Sequence, residues 1–214
     1  MTSHPPTLLT IGCMPGLSRR RVADLLLAVS TACPAAIVGA RTLSRAELRQ
    51  QLGDSVLDVA LLPMCQGTAF EAATLWEEDV HVLMAAGDPL AGAALLHPDQ
   101  FAGRTFLVPR DSESEDLHAF LSGFILQPGE PVRRRSAQGE GWIDEIADGD
   151  TLGLQTASAL RVLPPRLVSR PIAEPFGSFS VGAHWMSGSA AGALGLCRGQ
   201  AVEPVTCLVQ PPPA

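Results

Sequence analysis

Short apolar runs alternate with amphipathic segments through the first third of the chain, and this alternation is the strongest constraint on its fold. Apolar runs occupy residues 8–13, 36–40 and 57–62. Between the first two runs, residues 19–32 carry apolar side chains at helical spacing. Strand, helix, strand, helix, strand in this order requires right-handed crossovers, so it predicts an α/β fold with a parallel sheet.

Capping boxes mark the start of two helices. Ser44 is followed three residues later by Glu47, and Ser112 is followed in the same way by Glu115. In each pair the Ser oxygen can accept from a free helix amide while the Glu side chain reaches back to the backbone. The first box lies between the second and third apolar runs, where the crossover needs a helix.

A second unit repeats the strand and helix pattern after residue 79. We expect strands at 80–85, 105–108, 132–136 and 151–154, helices at 112–124 and 141–147, a turn at 87–91, and a final strand at 179–185 that returns to the first unit. The two units predict two lobes, residues 1–79 with 171–214 and residues 80–170. Ligands in open α/β sheets bind beyond the carboxyl ends of the strands, so we expect a binding cleft between the lobes.

The basic residues exclude several kinds of chemistry. All 15 are Arg, and the chain has no Lys, which excludes a Schiff-base lysine, a pyridoxal-phosphate lysine and a phosphate-loop lysine. The formal net charge is −7, so the chain lacks the basic footprint that nucleic-acid binding needs. We expect no direct nucleic-acid partner.

Cysteines, histidines and apolar runs give no sign of a cofactor, a metal or a membrane. The five cysteines are scattered without a Cys-x-x-Cys pair, and the five histidines lack paired ligand spacing. There is no Gly-x-Ser-x-Gly nucleophile motif, no signal peptide and no apolar run of about 20 residues. We therefore expect a cytoplasmic protein without cofactor, metal or membrane partner.

Four short motifs and a tryptophan resemble the effector-binding domain of LysR-type transcription regulators. Residues 44–48 and 57–61 resemble its "S/T-x-x-E-L … L-D-x-A-I" core, and residues 88–91 resemble its "H-P-L-A" turn, with Asp in place of His. Residues 146–153 resemble its "V-A-A-G-x-G" segment with one extra residue, and Trp185 stands where the final strand of these domains often ends. The resemblance extends over about residues 8–199.

The resemblance implies the type 2 periplasmic-binding-protein fold, with two Rossmann-like lobes, hinges near residues 80 and 168, and a small-molecule cleft. It also implies a homodimer. Carried over to this sequence, the cleft wall comprises Met14, Pro15, Gly16, Leu43, Ser44, Pro63, Met64, Cys65, Pro109, Arg110, Glu140 and Gln155.

Several of these residues have a second, purely structural interpretation. Ser44 stands at a helix N-terminus that could take a ligand carboxylate, or it could only cap the helix. Glu140 beside Trp142 could act as an acid or base, or it could only stabilise a helix start. His184 could titrate near neutrality as a second acid–base group, or it could be a half-buried structural residue. The run of three arginines that begins at Arg19 could hold an anion, although such runs are more often solvated.

Only seven residues precede the first predicted strand, so we expect either a domain excised from a longer regulator or a stand-alone protein without a helix-turn-helix. One hypothesis is therefore a stand-alone domain recruited as an enzyme. The resemblance extends to a Pictet-Spengler cyclase that joins a tryptophan-like amine to an aldehyde without a cofactor. Trp142, Met14 and Met64 would then stack the indole, and Ser44 or an Arg would hold its carboxylate. The other hypothesis is the ligand-sensing domain of a LysR-type regulator.

Overall fold

The computed structural model describes residues 7–32, 34, 36–64, 69–110, 115–125, 133–138, 141–160 and 163–187. Its helices are α1 (Arg19–Ala32), α2 (Arg45–Gly53), α3 (Glu115–Ile125) and α4 (Trp142–Asp148). Its strands are β1 (Thr7–Cys13), β2 (Ala36–Thr42), β3 (Val59–Pro63), β4 (Glu71–Ala85), β5 (Thr105–Arg110), β6 (Arg133–Gln138), β7 (Leu152–Thr156), β8 (Leu167–Pro171) and β9 (Ser178–Trp185).

The described strands form one mixed sheet in the order β2-β1-β3-β9-β4-β7-β5-β6, with β8 also paired to β4. Strand β1 is parallel to β2 and β3, and β5 is parallel to β6 and β7. Strand β9 returns antiparallel to β3, and it also pairs antiparallel with β4. Both predicted parallel units and the return of the last strand are confirmed.

Strand β4 is longer than the sequence predicts and links the two parallel units. Its first part, residues 71–79, pairs with β9, whereas residues 80–85 pair with β7 and β8. The sequence analysis predicted a strand only over 80–85. The first part was missed because Glu78 occupies an inward-facing position between the buried Trp76 and Val80, so the apolar alternation is broken by a carboxylate.

Strand β8 was also absent from the sequence prediction. Its sequence ends in Arg170 and Pro171, which weakens its strand signal, and β4 is its one strand partner among the described residues. The predicted division at residues 80 and 171, with hinges near 80 and 168, stays a prediction. The second predicted cap, at Ser112, lies outside the described residues.

Helix α2 packs closely on β1. A Cβ on Gly12 would lie 2.3 Å from Leu48 Cδ2 and 2.6 Å from a Leu57 methyl, and both leucines are buried. Only Gly therefore fits at this point of the strand. The close approach fixes the start of α2 beside the carboxyl end of β1, where the predicted cleft lies.

Asp88, which replaces the His of the "H-P-L-A" motif, stabilises the turn over residues 87–91. Asp88 accepts from the backbone amide of Leu90 at 2.9 Å, and both of its carboxylate oxygens accept from the Arg104 guanidinium. The Asp88 side chain is 3% exposed. These hydrogen bonds hold the pKa of Asp88 below its usual value despite burial, which opposes the shift.

Candidate functional site

A cavity of about 900 Å³ opens between the start of α1 and the loop after β7. One wall comes from the carboxyl end of β1, the first half of α1 and the end of β2, and the other from the short 3-10 helix Ala157–Ala159. The lining residues are Cys13, Met14, Pro15, Gly16, Leu17, Ser18, Arg19, Val22, Ala23, Leu26, Thr42, Ser158 and Ala159. A cavity of this size is in the range of small-molecule sites.

The chain turns sharply into α1 at the bottom of the cavity. Gly16 has a φ of 86°, a left-handed conformation that favours glycine. Ser18 then caps the helix, because its Oγ accepts from the Arg21 amide at 3.5 Å and its carbonyl accepts from the Val22 amide at 3.0 Å. The first turn of α1 therefore begins at the cavity wall.

A buried carboxylate on β4 positions this helix start. Glu78 is 3% exposed, and its Oε1 accepts from the Ser18 amide at 3.3 Å and from Trp76 Nε1 at 2.9 Å. The helix start is thus attached to the sheet by a hydrogen bond between residues 60 positions apart. Glu78 is a positioning residue that the sequence analysis did not identify.

The start of α1 is unusually positive. Its first three residues, Arg19, Arg20 and Arg21, are arginines, and its first turn contains no acidic residue. Cations at a helix N-terminus add to the positive end of the helix dipole instead of compensating it. Arg20 is paired with Asp24 at 3.9 Å on the solvent side, while Arg19 lines the cavity. This end of the cavity is therefore suited to an anion.

The remainder of the wall combines apolar side chains with a few hydroxyls and one thiol. Burial raises the pKa of the Cys13 thiol to about 11, so this cysteine is a neutral thiol at pH 7 and not a nucleophile. On the opposite wall, the hydroxyl groups of Ser158 and Thr156 are 3.2 Å apart. The cavity can hold an apolar body and offer hydroxyl groups to its polar atoms.

Three of the predicted wall residues, Met14, Pro15 and Gly16, line the cavity. Leu43 follows the lining residue Thr42, and its amide donates to the carbonyl of Cys13 at 3.2 Å. The cavity therefore opens at the predicted exit of β1, and the ligand-binding role of these residues stays a prediction.

Ser44 forms the predicted capping box, but its helix start already has an internal carboxylate partner. Ser44 Oγ accepts from the Glu47 amide at 3.3 Å, and Glu47 accepts from the Ser44 amide at 2.9 Å. These hydrogen bonds hold the pKa of Glu47 below its usual value. The next amide, that of Arg45, donates to Asp116 Oδ2 of α3 at 2.5 Å. The place expected for a ligand carboxylate is filled by the chain itself.

Other predicted wall residues lie elsewhere. Pro63 and Pro109 are buried within β3 and β5, and Arg110 is exposed at the end of β5. Met64 packs where a Cβ on Gly182 would be, and Gln155 Oε1 accepts from the adjacent Thr156 amide at 3.0 Å. None of these five wall predictions is among the residues that line the cavity. Cys65 and Glu140 lie outside the described residues.

Trp142 is a core residue rather than a stacking surface in the cavity. It is 3% exposed, lies against the backbone of Gly153, and meets the ring of His118 edge-on at 5.0 Å between centroids. Burial lowers the pKa of His118 to about 4, although its hydrogen bond with the Leu154 carbonyl opposes this shift. The indole therefore fills the interior of the second unit.

His184 is also buried, at 1% exposure, in β9 between β3 and β4. Burial lowers its pKa to about 4; the nearby Leu62 carbonyl opposes this, while Arg49 and Arg45 add to it. Among the described residues, neither ring nitrogen meets a partner in normal hydrogen-bond geometry. The imidazole is neutral at pH 7 and does not line the cavity, so the structure gives it the structural role.

The sequence analysis missed Ser18, Glu78 and Ser158. Ser18 gave no capping-box signal because Arg21, not Glu or Gln, stands three residues later. Ser158 follows the predicted strand exit at residues 155–156, so an extension of that exit by two residues would have included it. Glu78 acts from 60 residues away and has no local signal.

The chain fits one known family in three features: the two parallel units, the returning β9, and the cavity at the carboxyl ends of β1 and β2. The family model for the LysR substrate-binding domain matches residues 3–196. The chain belongs to the LysR substrate-binding domain family. Members have the type 2 periplasmic-binding-protein fold, in which small-molecule ligands are bound.

Solved LysR-type structures share this fold at low sequence identity. The reduced form of the OxyR regulatory domain from Pseudomonas aeruginosa matches with a TM-score of 0.69 and 16% identity, covering 93% of this chain and 96% of that one. The reduced regulatory domain of OxyR2 from Vibrio vulnificus matches with a TM-score of 0.69 and 17% identity, covering 92% and 96%. CbnR, a LysR family transcriptional regulator, matches with a TM-score of 0.66 and 15% identity, covering 92% and 71%.

Among curated proteins, none matches this LysR-type domain in sequence. Within the described residues, no helix is both long and apolar enough to cross a membrane. Nor do the described residues contain a group of three or more His, Cys, Asp or Glu that could hold a metal ion.

Proposed function

We propose that this LysR-type domain is a ligand sensor that binds a small organic carboxylate in the cavity at the start of α1. The observation that carries the proposal is the arginine-rich first turn of α1, which lines the cavity through Arg19 and contains no acidic residue of its own. Positive side chains there add to the positive end of the helix dipole, and a bound anion would relieve the resulting repulsion.

The apolar part of the lining specifies the rest of the ligand. Met14 and Leu17 are buried at the bottom of the cavity, and Val22 and Leu26 face it from α1. Such a surface favours an aromatic or aliphatic body, while Thr42 and Ser158 offer hydroxyl groups from the two walls. A tryptophan-like carboxylate fits this description, and so do simpler aryl and alkyl carboxylates.

Matched acid and amide pairs test the proposal. The thermal stability of the protein is measured with benzoate and benzamide, indole-3-acetate and indole-3-acetamide, and hexanoate and hexanamide. We expect at least one acid to raise the melting temperature while its amide does not. Ala159 is an exposed residue of the cavity wall, and the variant Ala159→Trp is expected to fill the cavity and abolish the rise in melting temperature. The control Ala102→Trp, at an exposed residue that does not line the cavity, is expected to retain the rise. Equal shifts for acids and amides would contradict the proposal.

The cyclase hypothesis stays a prediction. Of its two predicted acid–base residues, His184 is buried outside the cavity lining and Glu140 lies outside the described residues. Incubation with tryptamine or tryptophan and an aldehyde, followed by mass spectrometry for a new ring product, tests it. Product formation would establish turnover, and stabilisation by an acid without product would favour the sensor.

The predicted homodimer is also a proposal. Strand β2 is an edge of the described sheet, and its Ile37 is 56% exposed beside the equally apolar Leu8, which is 62% exposed on β1. Exposed apolar side chains on an edge strand are suited to burial against a second copy. Light scattering is expected to give twice the monomer mass, and Ile37→Lys is expected to shift it towards the monomer. A monomeric wild-type protein would contradict this.

A further inference from the structure

Helix α1 presents one continuous face to the cavity, and only the start of that face is charged. The residues of α1 beyond Ser18 that line the cavity are Arg19, Val22, Ala23 and Leu26. Residues three and four positions apart lie on the same face of an α-helix, so these four side chains follow one another along α1. The apolar stripe formed by Val22, Ala23 and Leu26 therefore begins beside the arginine end of the cavity.

The apolar stripe lies between the core-facing side of α1 and its solvent-facing side. Val29 is buried in the core, whereas Leu27 is 68% exposed, and neither residue lines the cavity. The next position along the stripe is Ser30, four residues after Leu26. Ser30 is polar, exposed and outside the cavity lining. The stripe is therefore apolar over a limited length, from Val22 to Leu26.

The distance from the charged end of this face to its last leucine sets the length of ligand that can use it. Arg19 and Leu26 lie about 10 Å apart along the helix axis, at 1.5 Å per residue. An extended chain advances roughly 1.2 Å per bond, so about eight or nine bonds connect a carboxylate at Arg19 with the side chain of Leu26. Met14 and Leu17 form a buried apolar floor beside this path. A chain of this length contacts apolar side chains throughout, and further carbons extend past the stripe towards Ser30.

We propose that the ligand of this cavity is a carboxylic acid with an unbranched apolar chain of about 8–10 carbons, which lies along the apolar stripe with its carboxylate at Arg19. The inference rests on the proposed function and names its ligand class. Leu26 is the residue that determines the chain length, because it is the last side chain of α1 in the cavity lining. A compact acid such as benzoate covers only the first part of the stripe and gains less from it.

The test is calorimetric titration of the full chain with butyrate, hexanoate, octanoate, decanoate and dodecanoate, each below its micelle concentration. Full burial of a methylene group changes an affinity about fourfold. Because Ala23 is exposed and leaves the chain partly solvated, we expect affinity to rise about twofold to fourfold per methylene up to decanoate. Dodecanoate is expected to bind within about twofold of decanoate, because its last carbons pass the end of the stripe. Equal affinities for butyrate and decanoate would overturn the inference.

Two neighbouring leucines supply a matched pair of variants. Leu26→Gln makes the far end of the stripe polar and is expected to weaken decanoate binding about fivefold or more, while butyrate binding changes by less than about twofold. Leu27→Gln makes the same change on the exposed side of α1 and is expected to leave both affinities unchanged. If Leu27→Gln weakened decanoate binding as much as Leu26→Gln does, the role of the stripe would be contradicted.

Ala23→Gln repeats the test without a change in the core. Ala23 is an exposed residue in the middle of the stripe, so the longer polar side chain disturbs the ligand path and not the packing of α1 on the sheet. This variant is also expected to weaken decanoate binding more than butyrate binding. Equal effects on the two acids would count against the stripe even if Leu26→Gln did not fold.

The matched amides, from butanamide to decanamide, separate this inference from the proposed function. If the acids bind, the amides do not, and affinity is independent of chain length, the inference is overturned and the proposed function stands. If acids and amides bind equally, and their affinity rises with chain length in wild type but not in Leu26→Gln, the proposed function fails and the role of the stripe stands. If none of these compounds binds, both are overturned.

Discussion

Glu78 offers the sharpest test of how the cavity is built, because one buried carboxylate oxygen holds two buried donors. Its Oε1 accepts from the Ser18 amide at 3.3 Å and from Trp76 Nε1 at 2.9 Å. A hydrogen bond to a charged group contributes about 1.5–3 kcal/mol, so Glu78→Ala is expected to lower the free energy of unfolding by about 3–6 kcal/mol. Glu78→Gln keeps an acceptor oxygen and is expected to lose about half as much.

Urea denaturation followed by far-UV circular dichroism measures these losses. Glu77→Ala is the matched control, because Glu77 precedes Glu78 on β4, is exposed and accepts from Ser180 at the surface at 2.6 Å. Its loss is expected to stay below about 0.5 kcal/mol. If Glu78→Ala fell within about 1 kcal/mol of Glu77→Ala, the argument that Glu78 positions the start of α1 would be refuted.

Three further predictions concern stability. Burial lowers the pKa of His184 from its ordinary value of 6.5 to about 4 in the folded protein, so the unfolded chain binds more protons between these values and stability falls as pH drops from about 6.5 to 4. His184→Leu is expected to reduce that loss of stability by about 2–3 kcal/mol, and equal losses for wild type and His184→Leu in urea denaturation at pH 7.5 and 4.5 would contradict it. Gly12→Ala places a Cβ 2.3 Å from the fully buried Leu48 and is expected to lower the free energy of unfolding by about 1–3 kcal/mol, measured by thermal unfolding. The control is Gly53→Ala, at an exposed position with open space for a Cβ, which is expected to change the stability little. Asp88→Ala leaves the partly buried Arg104 without its bidentate partner and is expected to cost about 3 kcal/mol; a loss below about 1 kcal/mol in urea denaturation would show that the turn does not depend on this pair.

The sequence predicted the elements whose signals are local. The strands of the first unit follow from short, mostly apolar runs. The start of α2 follows from residues 44–47, four residues that carry a complete capping signal. The cavity opens at the predicted exit of β1, where Pro15 and Gly16 mark the point at which the strand leaves the sheet. In each case the physical cause lies within a few neighbouring residues.

The features that the sequence analysis did not predict have a different physical origin, because they depend on contacts between residues distant in sequence. Glu78 breaks the apolar alternation of β4, and its buried carboxylate accepts a hydrogen bond from the amide of Ser18, 60 residues earlier. The expected ligand site at Ser44 failed to account for Asp116, 71 residues later than Arg45. Trp142 was expected to stack a ligand, but its ring is used for packing inside the second unit. Periodicity and capping rules describe residues that are close in sequence, so they do not predict such contacts.

The central claim is that the arginine-rich start of α1 binds the carboxylate of a small organic ligand. The most direct test is calorimetric titration of wild type and Arg19→Gln with the acid that gives the largest rise in melting temperature. Arg49→Gln is the charge-matched control, because Arg49 is an exposed residue of α2 outside the cavity lining. We predict that Arg19→Gln weakens binding about tenfold or more and that Arg49→Gln changes it by less than about twofold. Equal affinities for wild type and Arg19→Gln would contradict the claim.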